Sequence, residues 1–185
     1  MPGIDRLPVV WIFCKKLLPR RTHSLKGMNG STSNFWEVYM NSGNVKYGIA
    51  GGVAGGIVFG AMMGMMGMLP MIGQMVGFPS SGVGLIVHLS ISAFIGATFA
   101  FVFGSRVETR TAGLGYGLFY GGVWWLLGPL TLMPLMMGMG TAWTLAAATH
   151  ALPSLMGHLI YGGILGWTYG QLQCRSCAIS TIEAH

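Results

Sequence analysis

The placement of charge constrains this chain more than any other feature. No Lys, Arg, Asp or Glu occurs from Tyr47 to Ser105, 59 residues, and none from Thr111 to Cys174, 64 residues. A helix crossing the hydrocarbon core of a bilayer takes about 20 apolar residues, so each block has room for two crossings. Turn signals divide both blocks, at residues 77–82 (Gly-Phe-Pro-Ser-Ser-Gly) in the first and between Gly138 and Pro153 in the second. The pattern predicts helices over 47–68, 84–104, 113–137 and 153–172. A membrane barrel needs alternating polar positions, and these stretches are continuously apolar and rich in Ala, Leu, Met and Gly. The expected fold is therefore an all-α integral membrane protein. It comprises a basic, flexible cytoplasmic leader (1–44), a four-helix transmembrane domain (45–173) and a cytoplasmic tail (174–185).

Composition supports the exclusion of other classes. Charged residues make up 8% and hydrophobic residues 52% of the chain, against about 25% charged in a soluble domain. That is too little charge for a water-facing surface or for a disordered chain. The 31 glycines show no collagen-like period.

Orientation follows from the cations, which favour the cytoplasmic side. Arg6, Lys15, Lys16, Arg20, Arg21, Lys26 and Lys46 precede the first predicted helix, Arg106 and Arg110 lie between the second and third, and Arg175 follows the fourth. All ten thus fall on one side, which places both termini in the cytoplasm. Tyr47, Tyr116, Trp167 and Tyr169 sit near the same helix ends, as an interfacial aromatic belt would. The net charge of +6 is then mainly a topology signal. The lipid bilayer is the expected partner, with anionic headgroups suited to the basic leader, and nucleic acid is not expected.

Within the leader, the apolar run Leu7–Cys14 is too short to span and its cations follow it, the reverse of a signal peptide. An amphipathic surface segment and an organellar targeting peptide are alternatives, as is translation from Met28 or Met40. Cys14, Cys174 and Cys177 all fall on the reducing side. The Cys174-Arg-Ser-Cys177 spacing suits a metal, but no second pair completes a four-ligand zinc site.

Sliding the chain by 70 residues aligns Gly51-Gly52-Val53 with Gly121-Gly122-Val123, Met63 with Met133, Met66 with Met136 and Leu85 with Leu155. It also aligns His88-Leu89 with His158-Leu159, Gly96 with Gly166 and Thr98 with Thr168. A tandem copy of a two-helix hairpin explains this, with the halves related by a pseudo-two-fold along the membrane normal. Glycines recur every four residues at 48, 52, 56, 60 and 64, at 113, 117 and 121, and at 162, 166 and 170. Positions four apart share a helix face, and in lipid close backbone approach drives helix association. These stripes mark helix–helix seams, and any left exposed would support a homo-oligomer. Pro129 cannot donate to the carbonyl of Trp125 and crowds it, which predicts a kink in the third helix.

His88 and His158 are the only ionisable residues expected inside the membrane. Each shares a face with small residues (Gly84, Ser92 and Gly96; Ser154, Gly162 and Gly166), so each should point into a seam. Four roles follow. Neutral imidazole can tie two helices together by hydrogen bonding. The pair can hold a transition metal, with copper favoured by the thioethers of Met62, Met63, Met65, Met66, Met68, Met71, Met75, Met133, Met136, Met137 and Met139. It can supply both axial ligands of one haem. It can also line a proton or solute path with Ser90, Ser92, Thr98 and Gln74, as in a small transporter or channel component. The methionines serve equally as adaptable packing. No cofactor is required by the residues, and copper or haem are the alternatives.

Catalysis lacks its parts. Asp5, Glu37, Glu108 and Glu183 all lie outside the predicted helices, so no buried Ser/His/Asp set can form. The Gly113-Leu-Gly115 region follows no strand, as a phosphate-binding loop would. The expected role is non-enzymatic.

A glycine-rich first helix, an early histidine in the second, the Tyr-Gly…Trp124-Trp125…Pro134 stretch and the closing Gly157-His158-Leu159-Ile160-Tyr161-Gly162 form a pattern over residues 45–172. It resembles small uncharacterised four-helix bacterial membrane proteins, distantly YagU-like. The resemblance implies a bacterial-type inner-membrane protein with at most a loose link to acid resistance, and no established reaction or ligand. The basic leader departs from that pattern.

Overall fold

In the computed structural model the described residues are 42–182, with side chains described for 45–175. All regular structure among them is helical. Four long helices dominate: α1 (Ser42–Met65), α3 (Ser81–Phe103), α4 (Arg110–Leu127) and α7 (Leu152–Ile182). Three shorter ones, α2 (Leu69–Gln74), α5 (Met133–Met136) and α6 (Leu145–His150), occupy the connections. The basic leader through residue 41, with Cys14, and the end of the chain with Glu183 and His185 lie outside the described residues.

Three segments are long and apolar enough to cross a membrane: Val45–Met65, Ser81–Arg106 and Arg110–Met136. They fit an integral membrane protein. Helix α7 is longer than any of them but less apolar, because His158, Tyr161, Trp167, Thr168 and Tyr169 interrupt its run. It also continues past Cys174 to Ile182, so the predicted tail boundary falls within a helix.

The helix ends obey local rules. At the end of α1, Gly67 takes φ +68°, and Met68 N–H reaches back to Met63 O at 2.9 Å. At the end of α5, Gly138 takes φ +73° and Met139 N–H reaches Pro134 O at 2.9 Å. Both are Schellman closures, where a left-handed glycine lets the chain cap its own carbonyls. Thr109 and Thr144 cap α4 and α6 by accepting from Ala112 N at 3.1 Å and Ala147 N at 3.2 Å.

The predicted break at Pro129 is a π-helical turn, Gly128–Leu132. Proline cannot donate to the carbonyl four residues back, and the chain widens instead of stopping. Thr131 Oγ1 then donates to Leu126 O at 2.9 Å. The following loop is strapped to this turn by Trp143 Nε1 on Thr131 Oγ1 at 3.2 Å and by Ala142 N on Leu130 O at 2.9 Å.

Glycine decides which helices touch. Gly48, Gly52 and Gly56 of α1 lie against Gly96 and Ser92 of α3, and Gly113, Gly117 and Gly121 of α4 lie against Gly166, Gly162 and His158 of α7. A Cβ on Gly117 would stand 3.0 Å from both the Gly162 carbonyl carbon and Gly166 Cα. The other face of α1 meets α7, where Gly51 and Gly55 approach the carbonyls of Leu165 and Tyr161 at 2.8 and 2.7 Å from a notional Cβ. The α3–α4 seam is built differently. Phe99 and Phe103 meet Tyr116 and Tyr120, with ring centroids between 5.2 and 5.7 Å. Phe99, Leu165 and Tyr169, at 0% exposure, form the centre of the core.

The ungapped 70-residue match pairs glycines with like contacts in α3 and α7 and with unlike contacts in α1 and α4. Gly96 and Gly166 have similar surroundings, Gly96 against Gly48 and Gly52 and Gly166 against Gly113 and Gly117. The match also pairs Gly52 with Gly122, yet Gly52 is wedged against Ser92 and Gly96 whereas nothing lies within 4 Å of a Cβ on Gly122. The position of α4 in the environment of Gly52 is Gly117, against Gly162 and Gly166. By these contacts α1 and α4 match at an offset of 65, five residues short, because the connection after α1 is shorter than the one after α4.

Candidate functional site: the histidine pair

His88 and His158 come from equivalent turns of α3 and α7 and meet the same phenyl ring. Phe59 of α1 lies edge-on to His88 with centroids 5.4 Å apart and to His158 at 4.9 Å. The ring fits because Gly157 has no side chain: a Cβ there would stand 2.6 Å from Phe59 Cδ2. Gly60 likewise makes room for the His88 ring, whose Cδ2 would be 3.1 Å from a Cβ on that residue.

The two imidazoles use opposite nitrogens. His88 is buried, and its Nε2 lies 3.0 Å from Gly56 O. A carbonyl only accepts, so Nε2 carries the proton and Nδ1 the lone pair. This bond crosses from α3 to α1 and ties the first seam. His158 is half-buried and bonds within its own helix, Nδ1 to Ser154 O at 2.8 Å. Its lone pair is therefore on Nε2, which faces Gly128 in the π-helical turn, 3.5 Å from a notional Cβ. The expected structural tie is thus realised by His88 alone. His158 is an imidazole with its basic nitrogen turned toward the widened backbone.

The other predicted participants are dispersed. Ser90 is exposed and returns its hydroxyl to Ile86 O at 2.9 Å, and Gln74 is exposed on α2. Thr98 shares a 2.7 Å hydrogen bond with Tyr120 OH well inward of the histidines. Ser92 alone of that set adjoins them, and its carbonyl accepts Tyr161 OH at 2.7 Å. The expected path residues therefore do not line one passage. Of the methionines, Met63 is buried while Met65, Met66, Met71, Met136, Met137 and Met139 stand exposed. Phe59 contacts both imidazoles and packs against the core cluster, so this ring occupies space beside the pair. Among the described residues no group of three or more His, Cys, Asp or Glu side chains gathers as a metal would need. The one carboxylate among the described side chains, Glu108, is exposed in the α3–α4 turn. Cys174 Sγ approaches Glu108 O at 3.7 Å, and the Cys177 side chain lies outside the described set.

Sequence reasoning missed a second buried polar cluster at the opposite end of the bundle. Tyr169 OH and Gln173 Oε1 are buried without a hydrogen-bond partner among the described residues. Both adjoin Gly104, whose carbonyl accepts Gln173 Nε2 at 3.3 Å. The signal was present in the one-turn spacing of Tyr169 and Gln173, but nothing in sequence marks Gly104 as their neighbour. Searches of family models, curated proteins and solved structures return no match to this chain, so the YagU-like resemblance rests on its short motifs alone.

Proposed function

We propose that the chain is a non-enzymatic, multi-pass integral membrane protein: a glycine-packed bundle of two tandem helical hairpins crossing a bacterial-type inner membrane four times. Both termini lie in the cytoplasm under the positive-inside rule, and α7 is the fourth span. The observation that carries the reading is the repetition of one contact pattern. Gly48, Gly52 and Gly56 meet α3 as Gly113, Gly117 and Gly121 meet α7, backbone against backbone. Without a hydrophobic drive in lipid, such close approach is what holds helices together. A span as polar as α7 is tolerated because Tyr161, Leu165 and Tyr169 face the core, and the Tyr161 hydroxyl and the His158 imidazole find carbonyl acceptors inside the bundle. In this reading His88 and Phe59 are structural, fixing α1 against α3 and α7 near the outer surface.

A second reading has one specific observation in its favour. The two imidazoles share Phe59 and each retains a lone pair, on His88 Nδ1 and His158 Nε2, so a soft metal such as copper has two candidate ligands. Elemental analysis of detergent-purified protein, with and without added Cu(I), separates the readings. The structural reading predicts no metal retained after dialysis, and unchanged behaviour of the His158→Ala variant apart from a small loss of stability. Stoichiometric copper lost in both His88→Ala and His158→Ala would replace it.

A further inference from the structure

We propose that the groove between α3 and α4 at the basic end of the bundle binds one anionic phospholipid. Its acyl chain would lie along Phe103, Ala112, Gly115, Tyr116 and Phe119, and its phosphate on Arg106. The proposal rests on the membrane-spanning reading and adds a specific ligand site to it.

The seam between α3 and α4 is filled by rings rather than glycines. Phe103 stacks on Tyr116 at 5.2 Å and meets Phe119 edge-on at 6.4 Å. Beside these rings lies an open, shallow groove of about 500 Å³. Exposed Gly115 lines it, and a Cβ there would have no neighbour within 4 Å. From Ala112 to Phe119 it follows α4 for about 10 Å at the helical rise of 1.5 Å per residue.

The walls are aromatic rings, a methyl group and glycine backbone, which suit a hydrocarbon chain. A peptide laid there would find no partners for its own backbone polar groups, at the cost that burial of unpaired amides carries. The mouth has the opposite character. Arg106 follows Phe103 by less than one turn, and its Nη1 turns back to donate to Val102 O at 2.9 Å. This bond turns the exposed guanidinium back toward the helical turn that carries Phe103, a lining residue of the groove. With Lys46, Arg110 and Arg175 the described cations at this end number four, against the single described carboxylate of Glu108. An apolar slot between membrane helices with a cation at its mouth matches an amphiphile with an anionic head, the chemistry of basic lipid sites between spans.

The test uses the full chain purified in mild detergent, offered phosphatidylglycerol and phosphatidylcholine in equal amounts and read by native mass spectrometry. One phosphatidylglycerol is retained per chain in preference to phosphatidylcholine. Arg106→Gln lowers that retention about five-fold, the effect of losing one surface cation, and Arg106→Lys restores most of it. Gly115→Leu fills the groove without meeting any neighbour, so it lowers retention while the melting temperature in lipid-free detergent holds or rises. Equal retention of the two lipids, or retention indifferent to both Arg106→Gln and Gly115→Leu, overturns the site. A wild-type dimer split by Gly115→Leu, with no change in bound lipid, assigns the groove to a second copy and also overturns it. Release of the protein from membranes by alkaline carbonate without detergent would instead remove the membrane reading, and the lipid site with it.

Discussion

The glycine seams make a paired prediction in which the same substitution has opposite consequences a half-turn apart. At Gly117 an alanine methyl meets the Gly162 carbonyl and, at 3.0 Å, Gly166 Cα. These are backbone atoms, which no rotamer change can move. Ordinary contact is about 3.5–4.0 Å, so α4 and α7 must separate by roughly 0.5–1 Å. A gap of that size forfeits a quarter to a half of each atom pair's attraction of about 0.1–0.2 kcal/mol. Over a few tens of pairs along the seam, the loss is about 1–3 kcal/mol, the usual cost of overpacking. Alanine's better helix propensity offsets at most about 1 kcal/mol of it. With that offset, Gly117→Ala is net destabilising by up to about 2 kcal/mol. Gly115→Ala and Gly122→Ala place the methyl where nothing lies within 4 Å, and should be neutral or stabilising by up to about 1 kcal/mol. Reversible unfolding in mixed SDS–detergent micelles measures all three. Equal effects at Gly117 and Gly115, or a stabilising Gly117→Ala, would refute the argument that α4 and α7 are held by backbone contact at these glycines.

Other substitutions test the polar ties. His88→Ala removes a buried bond between helices and should cost about 1–3 kcal/mol, whereas His158→Ala loses only an intrahelical bond from a half-buried ring and should cost less; the reverse order in micelle unfolding would contradict the assignment. Tyr161→Phe deletes a hydroxyl bonded to Ser92 O at 2.7 Å and should lose about 0.5–1.5 kcal/mol. Tyr169→Phe deletes one that has no partner among the described residues, so its thermal midpoint should hold or rise. Thr131→Val removes the hydroxyl that both caps Leu126 O and receives Trp143; faster hydrogen exchange confined to the 138–144 connection is expected, and unchanged exchange there would show that the strap does not order the loop.

How much of this could be read from the chain follows from what each signal encodes. Charge-free length is a one-dimensional property, so the four long helices were legible to within a few residues at most ends. The period-four glycines named the seams because a helix face is also fixed by local geometry. What failed required knowledge of partners. The ungapped match placed Gly52 with Gly122 because identity was counted along the chain, while the equivalence is set by which backbone each glycine faces. Helices α2 and α6 fall between the predicted spans, α6 inside the Gly138–Pro153 turn region, and are too short for charge-free length to mark them. The histidines were correctly placed in seams, but their opposite nitrogens depend on Gly56 of another helix and on Ser154 one turn away. Phe59, which touches both, carries no mark in sequence that separates it from any other apolar residue of α1.

The claim on which all of this depends is that the chain threads the bilayer four times with its basic connections on one side. Reporter fusions at Glu108, Gly140, Ser80 and after Ile182 read it directly, using alkaline phosphatase for the outside and a fluorescent protein for the cytoplasm. Phosphatase activity at Ser80 and Gly140, with fluorescence at Glu108 and after Ile182, is the predicted pattern. Phosphatase activity after Ile182 would mean that α7 does not cross, and would leave three spans in place of four.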